Sequence, residues 1–313
     1  MILNATKENI NCAAAFLKEG RVVAFPTETV YGLGALGSDD AAIAKIYTLK
    51  NRPKINPLIF HCLSFSWVKE IADVTPLIEK VASYFMPGPL TLVLNKRTGA
   101  KISTLATAGL DTIAVRVPVH PIAQQLLENV DEPLVAPSAN LSGCISSTQA
   151  HHVENFFKDR IAAIVDGGNC YYGLESTVLD LSTDQPCILR QGAVTQETLQ
   201  EILGHPVSIS SSLEKIKAPG QLKRHYSPQL PLRMNVTSPE ENEAYIGFGN
   251  MECDYNLSPS GDLTEAAANL FKMLHRADDA NQYKGIAVAP IPMESVGVAI
   301  NDRLSRGCHS KTT

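Results

Sequence analysis

Val22-Val23-Ala24-Phe25-Pro26-Thr27-Glu28-Thr29-Val30-Tyr31-Gly32-Leu33-Gly34-Ala35 is the stretch from which the fold of this 313-residue chain is read. The apolar run from Val22 to Phe25 has the length and composition of a buried strand, and a proline stops it. Three hydroxyls, one carboxylate and three glycines follow before Ser38-Asp39-Asp40 opens a helix. Backbone amides, small hydroxyls and a helix N-terminus held at a strand end suit an anionic ligand. Gly32-Leu33-Gly34-Ala35-Leu36-Gly37 also fits the glycine fingerprint of dinucleotide-binding folds. That fingerprint wants its glycines at the strand end and an acidic residue about 20 positions on. Here Pro26 to Tyr31 intervene, and Pro57 stands where the acid is needed. The glycines are therefore expected to let a loop turn closely past a ligand.

Strand and helix patterns alternate outward from this point. Thr6 is placed to cap a helix over Lys7–Glu19 that Gly20 ends, and a second helix is expected from Asp40 to Leu49. Strands are expected at 58–60, 90–94, 113–117, 134–136, 163–165, 177–181 and 188–189. Helices are expected around Trp67 and over 76–85, 121–129 and 151–160. This alternation predicts an α/β domain reaching about Gly204. From Ser208 to Pro231 the pattern breaks into Ser210-Ser211-Ser212, Ala218-Pro219-Gly220 and Arg224-His225-Tyr226-Ser227-Pro228, a linker by composition. Strands at 244–247 and 286–290 and helices over 263–276 and 296–304 then predict a second, smaller α/β unit. The expected division is a catalytic domain over 1–205, a linker or lid over 206–231 and a small domain over 232–313.

Composition bounds the function. With 44% hydrophobic and 19% charged residues the chain is an ordinary globular protein, not a disordered one. Lys and Arg total 27 against 32 Asp and Glu, and this net acidity argues against gripping nucleic acid through bulk charge. The seven scattered cysteines form no C-x-x-C pair, so neither a zinc knuckle nor a redox pair is indicated. They fit a reducing compartment. No signal peptide and no run of about 20 apolar residues is found, so the expected location is the cytoplasm.

Several segments carry polar groups suited to chemistry. Lys50, Arg52 and Lys54 lie in a loop stiffened by Pro53 and Pro57, with Asn56 between. Such fixed cations suit phosphate oxygens, although a solvated basic turn has the same composition. His61 ends an apolar strand and is a satisfied core histidine unless a ligand needs it. Arg116 lies inside an apolar strand, sharing a face with Thr112 and Ala114. An inward arginine needs either a carboxylate ligand or an internal salt bridge. Ala136 to Gly143 supplies Ser138, Asn140 and Ser142 in a turn, and Glu175-Ser176-Thr177 and Arg190 lie at further strand ends. Gly168 to Gly173 imitates a phosphate-binding loop, but Leu174-Glu175 replaces its Lys and hydroxyl, so that reading fails. No G-x-S-x-G elbow is found. Hydroxyls, amides and cations thus recur at strand ends, where α/β folds gather ligands.

FPTETVYGLGA (25–35), KNRPKINPL (50–58), PGPLTLVL (87–94), TIAVRVP (112–118), APSANLSG (136–143), ESTVLD (175–180) and ILRQG (188–192) resemble the YrdC-like family in order and spacing. APGQLKRHYSP (218–228), GDLTEAAANLF (261–271) and AINDRLSR (299–306) resemble its longer two-domain members, the threonylcarbamoyl-AMP synthases of tRNA modification. The resemblance implies a twisted mixed-sheet α/β domain plus a smaller Rossmann-like α/β C-terminal domain. It implies that L-threonine, bicarbonate and ATP give threonylcarbamoyl-adenylate and pyrophosphate, with magnesium (Mg2+) riding on the phosphates. It implies Thr29, His61, Arg116, Ala136 and Ser176 as threonine ligands. Lys50, Arg52, Asn56, Thr112, Ser138, Asn140, Ser146 and Arg190 are implied on the ATP side, with Tyr226 folding back as a lid. No protein nucleophile and no protein metal ligand is expected. The implied partners are a downstream tRNA threonylcarbamoyl transferase complex and a weak tRNA contact, with no membrane. Two other readings compete: an RNA- or tRNA-binding module of the same fold, and a carbamoyl-adenylate step in metal-centre assembly. The latter normally resides in a much larger chain.

Overall fold

The computed structural model describes residues 1–210 and 225–308. The first unit contains β1 (Ile2–Asn4), α1 (Lys7–Lys18), β2 (Val23–Phe25), β3 (Gly32–Leu36), α2 (Asp40–Lys50), β4 (Ile59–His61), α3 (Phe65–Ile71) and α4 (Pro76–Phe85). It continues through β5 (Leu90–Asn95), β6 (Thr112–Arg116), α5 (Pro121–Val130), β7 (Leu134–Val135), α6 (Ala150–Phe157) and β8 (Ala163–Asp166). β9 (Thr177–Asp180), β10 (Cys187–Arg190), α7 (Gln196–Leu203) and β11 (Ser208–Ile209) complete it. These strands form one mixed sheet in the order β1-β8-β2-β3-β7-β4-β6-β5-β9-β10-β11. β11 begins inside the range expected as linker and adds to β10 in parallel.

Both faces of the sheet are covered at β2. Val22 and Ala24 enter one apolar cluster, while Val23 and Phe25 enter another with α1 and α5. That explains a strand with no polar alternation. Helix starts follow local chemistry: Thr6 Oγ1 accepts from the Asn9 amide, and Asp39 Oδ1 from those of Ala41 and Ala42.

The opening stretch corrects one expectation. Gly32–Leu36 is not a loop but β3, antiparallel to β2 with Phe25 opposite Gly32. The Phe25 ring lies across these glycines, and a Cβ on Gly34 would come within 2.7 Å of its Cε1. The glycines make room for a buried ring rather than for a turn. β3 also carries the N-terminus of α2 away from the polar segment, so that helix end lines no part of the site described below.

The second unit contains β12 (Leu232–Arg233), β13 (Glu243–Gly247), β14 (Tyr255–Asn256), α8 (Leu263–Ala277), β15 (Gly285–Val288) and α9 (Gly297–Gly307). Its four strands are all parallel, in the order β12-β15-β13-β14. α8 and α9 bury Leu270, Phe271, Leu274, Ile300 and Leu304 against them. Val30, Ile145 and Leu174 of the first unit join this same cluster. At Gly173 (φ +66°) a Cβ would sit 2.5 Å from the Ala268 carbonyl of α8. The glycine spacing that imitates a phosphate loop therefore serves close contact between the units.

Candidate active site

A shallow apolar floor of Ile59, Val93, Ala114, Val178 and Leu189 lies on one face of the sheet. Ala114 puts the Thr112–Ala114–Arg116 face of β6 on this side, and Arg116 reaches the cleft at its end. The wall opposite is the Pro26–Tyr31 segment. Thr27 Oγ1 donates to the Val30 carbonyl at 2.6 Å and accepts from the Thr29 amide at 3.2 Å, curling the segment on itself. Backbone bonds from the Tyr31 amide to Ser147 O and from the Ala139 amide to Tyr31 O stitch it to the 136–147 turn. Gly192 presses on the next segment, where a Cβ would lie 2.4 Å from Glu175 O and 2.5 Å from Thr177 N.

All five residues expected on the threonine side, Thr29, His61, Arg116, Ala136 and Ser176, line this one cleft. Arg116 Nη2 donates to Glu28 Oε1 at 2.6 Å and Nη1 to Thr29 Oγ1 at 2.8 Å. The internal salt bridge is thus present and fully buried, and Glu28 also accepts from the Val119 amide at 3.2 Å. Burial opposes the Glu28 charge, but Arg116 outweighs it and holds the carboxyl below its ordinary range. Burial first, and the Arg116 charge second, lower His61 to about 3, so its imidazole is neutral at pH 7. Its ring meets Phe25 edge-on at 6.2 Å, and Nδ1 is 3.2 Å from Ile59 O.

Of the residues expected on the ATP side, Arg52, Ser138 and Arg190 line the cleft. Lys50 and Asn140 are buried just behind: Lys50 Nζ donates to Ser138 O and Asn140 O, each at 2.5 Å. Burial and then the Arg52 charge lower the Lys50 ammonium well below the usual lysine range. Arg52 donates to Asn56 O at 3.1 Å and Pro57 O at 2.9 Å, so Arg52 and Asn56 fold inward, while Lys54 and Ile55 at the loop's tip are exposed. Arg190 donates to Ser176 O and Oγ, both at 3.0 Å. Ser146 Oγ donates to Glu175 Oε1 at 2.5 Å. Asn56 Nδ2 and Oδ1 and Asn140 Oδ1 are buried with no partner among the described residues.

Thr112 and Tyr226 stand apart from the cleft lining. Thr112 is half-buried at the start of β6, opposite Asn95. Tyr226 (φ +63°) packs into the second unit, 5.5 Å from the Phe271 ring. Its neighbour His225 lines the cleft instead. Burial and then the charges of Arg52, Lys50, Arg190 and Arg303 hold His225 well below the ordinary histidine range. The linker residues 218–224 lie outside the described residues. Glu28, Glu175, His225 and Arg303 are site residues to which the sequence reading assigned no role. The signal was available for all four, since each sits inside a quoted motif: Glu28 in 25–35, Glu175 in 175–180, His225 in 218–228 and Arg303 in 299–306. Among the described residues, no group of three or more His, Cys, Asp or Glu is arranged to hold a metal ion.

A family model described as "Telomere recombination" (Sua5, YciO and YrdC proteins) matches residues 15–192. One described as "Threonylcarbamoyl-AMP synthase, C-terminal domain" matches residues 194–308. The threonylcarbamoyl-AMP synthase of Pyrococcus abyssi is 39% identical over 95% of this chain and 93% of its own length. That of Bacillus subtilis is 39% identical over 97% of this chain and 94% of its own. The crystal structure of P. abyssi Sua5 complexed with L-threonine superposes with a TM-score of 0.89 at 36% identity, covering 98% of this chain and 97% of that one.

Proposed function

This chain belongs to the YrdC-like family of threonylcarbamoyl-AMP synthases, and from that premise we propose how its cleft carries out the family's reaction. L-Threonine and bicarbonate join as the N-carboxy adduct with loss of water; its carboxylate attacks the α-phosphorus of ATP, and pyrophosphate leaves. The chain is thus a nucleotidyl-transferring enzyme. Displacement at phosphorus asks for positioning and charge neutralisation rather than a protein nucleophile. The observation that carries this reading is one cleft lined by three buried cations, Arg52, Arg116 and Arg190, between threonine- and serine-rich walls, with Lys50 buried just behind and Arg303 bonded to the cleft residue Glu175.

Thr29, His61, Arg116, Ala136 and Ser176 take the threonine end, with neutral His61 beside Arg116 sparing the amino acid's carboxylate a competing charge. Lys50, Arg52, Asn56, Ser138, Asn140, Ser146 and Arg190 take the nucleotide, with Thr112 at the outer edge of the same sheet face and Tyr226 carrying His225 toward it. Magnesium arrives as part of the Mg-ATP substrate, because the two carboxylates at the cleft, Glu28 and Glu175, are each held by an arginine. The domain division at 1–205, 206–231 and 232–313 is supported by the two main apolar clusters, one within the first unit and one centred on the second, although the latter also takes in Val30, Ile145, Leu174 and Tyr226. Adenylate synthesis is the first step of N6-threonylcarbamoyladenosine formation, and the adenylate then passes to a tRNA threonylcarbamoyl transferase in the same compartment.

An RNA-binding module is not favoured. Lys50, Arg52, Arg116, Arg190 and Arg303 are 1–8% exposed, so these charges face the interior and not a duplex backbone. Pyrophosphate release from ATP by the purified chain tests the synthase reading. Release is expected only with both L-threonine and bicarbonate present. A rate unchanged when threonine is omitted would sink the reading.

A further inference from the structure

Arg303 belongs to α9 of the second unit, yet its guanidinium is fully buried against the first. Its Nε donates to Glu175 Oε2 at 3.2 Å, and its Nη1 to Asp302 Oδ2 at 3.1 Å. Its Cζ lies 5.2 Å from the Tyr226 ring centroid, a cation–π contact that ties the His225–Tyr226 segment to the same group. Among the described residues, Nη2 is buried with no partner. Glu175 lines the cleft next to Ser176 and accepts from Ser146 Oγ with its other oxygen. A bonded chain Arg303–Glu175–Ser146 therefore crosses from the second unit to the nucleotide end of the cleft. Glu175 is also the carboxylate whose charge is felt by Lys50 and Arg190. The Arg116–Glu28 pair, by contrast, lies wholly within the first unit at the threonine end.

We propose that Arg303 is a positioning residue for the nucleotide: it holds Glu175 so that Ser146 and the surrounding cations keep the arrangement that receives the phosphates of ATP. The second unit is then a working part of the active site. Removing the arginine leaves Glu175 without its anchor, so the acceptor that fixes the Ser146 hydroxyl is lost and the surrounding cations lose their arrangement. The uncommitted Nη2 leaves one donor of the guanidinium for a water or an oxygen of the ligand. The inference rests on the synthase reading above.

The test uses the full chain as wild type, Arg303→Lys, Arg303→Met and the double variant Arg303→Met/Glu175→Gln. Each is titrated calorimetrically with a non-hydrolysable ATP analogue and with L-threonine, and assayed for pyrophosphate release. Arg303→Met is expected to weaken nucleotide binding and raise the KM for ATP about tenfold or more, as befits a lost charge-assisted network. Threonine affinity is expected to stay within about twofold of wild type, because the Arg116–Glu28 pair is untouched. Arg303→Lys recovers part of the loss. The double variant, relieved of an unpaired buried carboxylate, is expected to regain melting temperature without regaining nucleotide affinity. Nucleotide affinity that returns together with stability would reduce Arg303 to a structural residue. So would a folded Arg303→Met chain that binds nucleotide like wild type. Wild type that binds the analogue but releases pyrophosphate without threonine would instead overturn the synthase reading, while the nucleotide titrations still decide Arg303.

Discussion

Arg116 is the inward arginine of an apolar strand, and its two obvious partners, an internal carboxylate and a ligand carboxylate, need not exclude each other. Glu28 takes Nη2 while Nη1 reaches Thr29, so the guanidinium is oriented before any substrate enters. Arg116→Ala removes a proposed threonine contact and leaves Glu28 charged and unpaired in the interior. The expected cost is roughly 3–5 kcal/mol of stability, together with a large loss of threonine affinity. Urea unfolding and calorimetric threonine titration measure the two effects. Arg116→Lys, which keeps the charge but loses the planar fork, is expected to retain most of the stability and still bind threonine poorly. Unaltered threonine affinity in either folded variant would remove Arg116 from the site. The choice of residue types at these positions was legible in sequence; the identity of the partner was not. Glu28 and Arg116 come from distant segments, and only packing brings the carboxylate to the guanidinium.

Between neighbouring strands, Gly34 of β3 underlies the Phe25 ring of β2, and that ring stands edge-on to His61. Gly34→Ala is expected to overpack this contact, destabilising the chain by about 1–3 kcal/mol and displacing the ring toward His61. The double variant Gly34→Ala/Phe25→Leu should cost less than the sum of its single changes, measured by thermal or urea unfolding; strict additivity would show that the ring is not what the methyl meets. Elements with strong periodicity or caps, such as α1, α4, α5 and α8, fall where local pattern predicts them. β3 does not, since two glycines and a continuous apolar run carry neither strand alternation nor strand propensity. α7 was readable but unread: Thr195 caps it, accepting from the Thr198 amide, and Leu199 and Leu203 are buried four residues apart. The short strands β1, β11, β12 and β14 owe their existence to a neighbour in the sheet.

The interface between the two units carries a histidine stack. His152 of α6 lies 3.8 Å from His275 of α8, and His275 Nε2 is 3.0 Å from Ser146 O. Burial, joined by neighbouring positive charges, lowers His152 to about 2 and His275 to about 4. His61 and His225 are lowered in the same way. Between these values and about 6.5, the unfolded chain binds protons that the folded chain refuses. Stability is therefore full above pH 6.5 and falls as pH drops below it. Each histidine that stays neutral contributes a slope of about 1.4 kcal/mol per pH unit in that window. Urea midpoints should decline from pH 7 to pH 5, and His152→Phe should flatten that decline; a flat wild-type profile would contradict the neutral stack. From sequence alone came the α/β class, the strand-end motifs, the face of β6 and the inventory of cations and hydroxyls, because each depends on residues close together along the chain. Tertiary structure decided that Arg52 and Asn56 of the basic loop fold inward, that His225 lines the cleft beside Tyr226, and that Glu28 and Glu175 are matched to Arg116 and Arg303. Those pairings depend on desolvation and on contact between segments far apart in sequence, and local pattern holds no record of either.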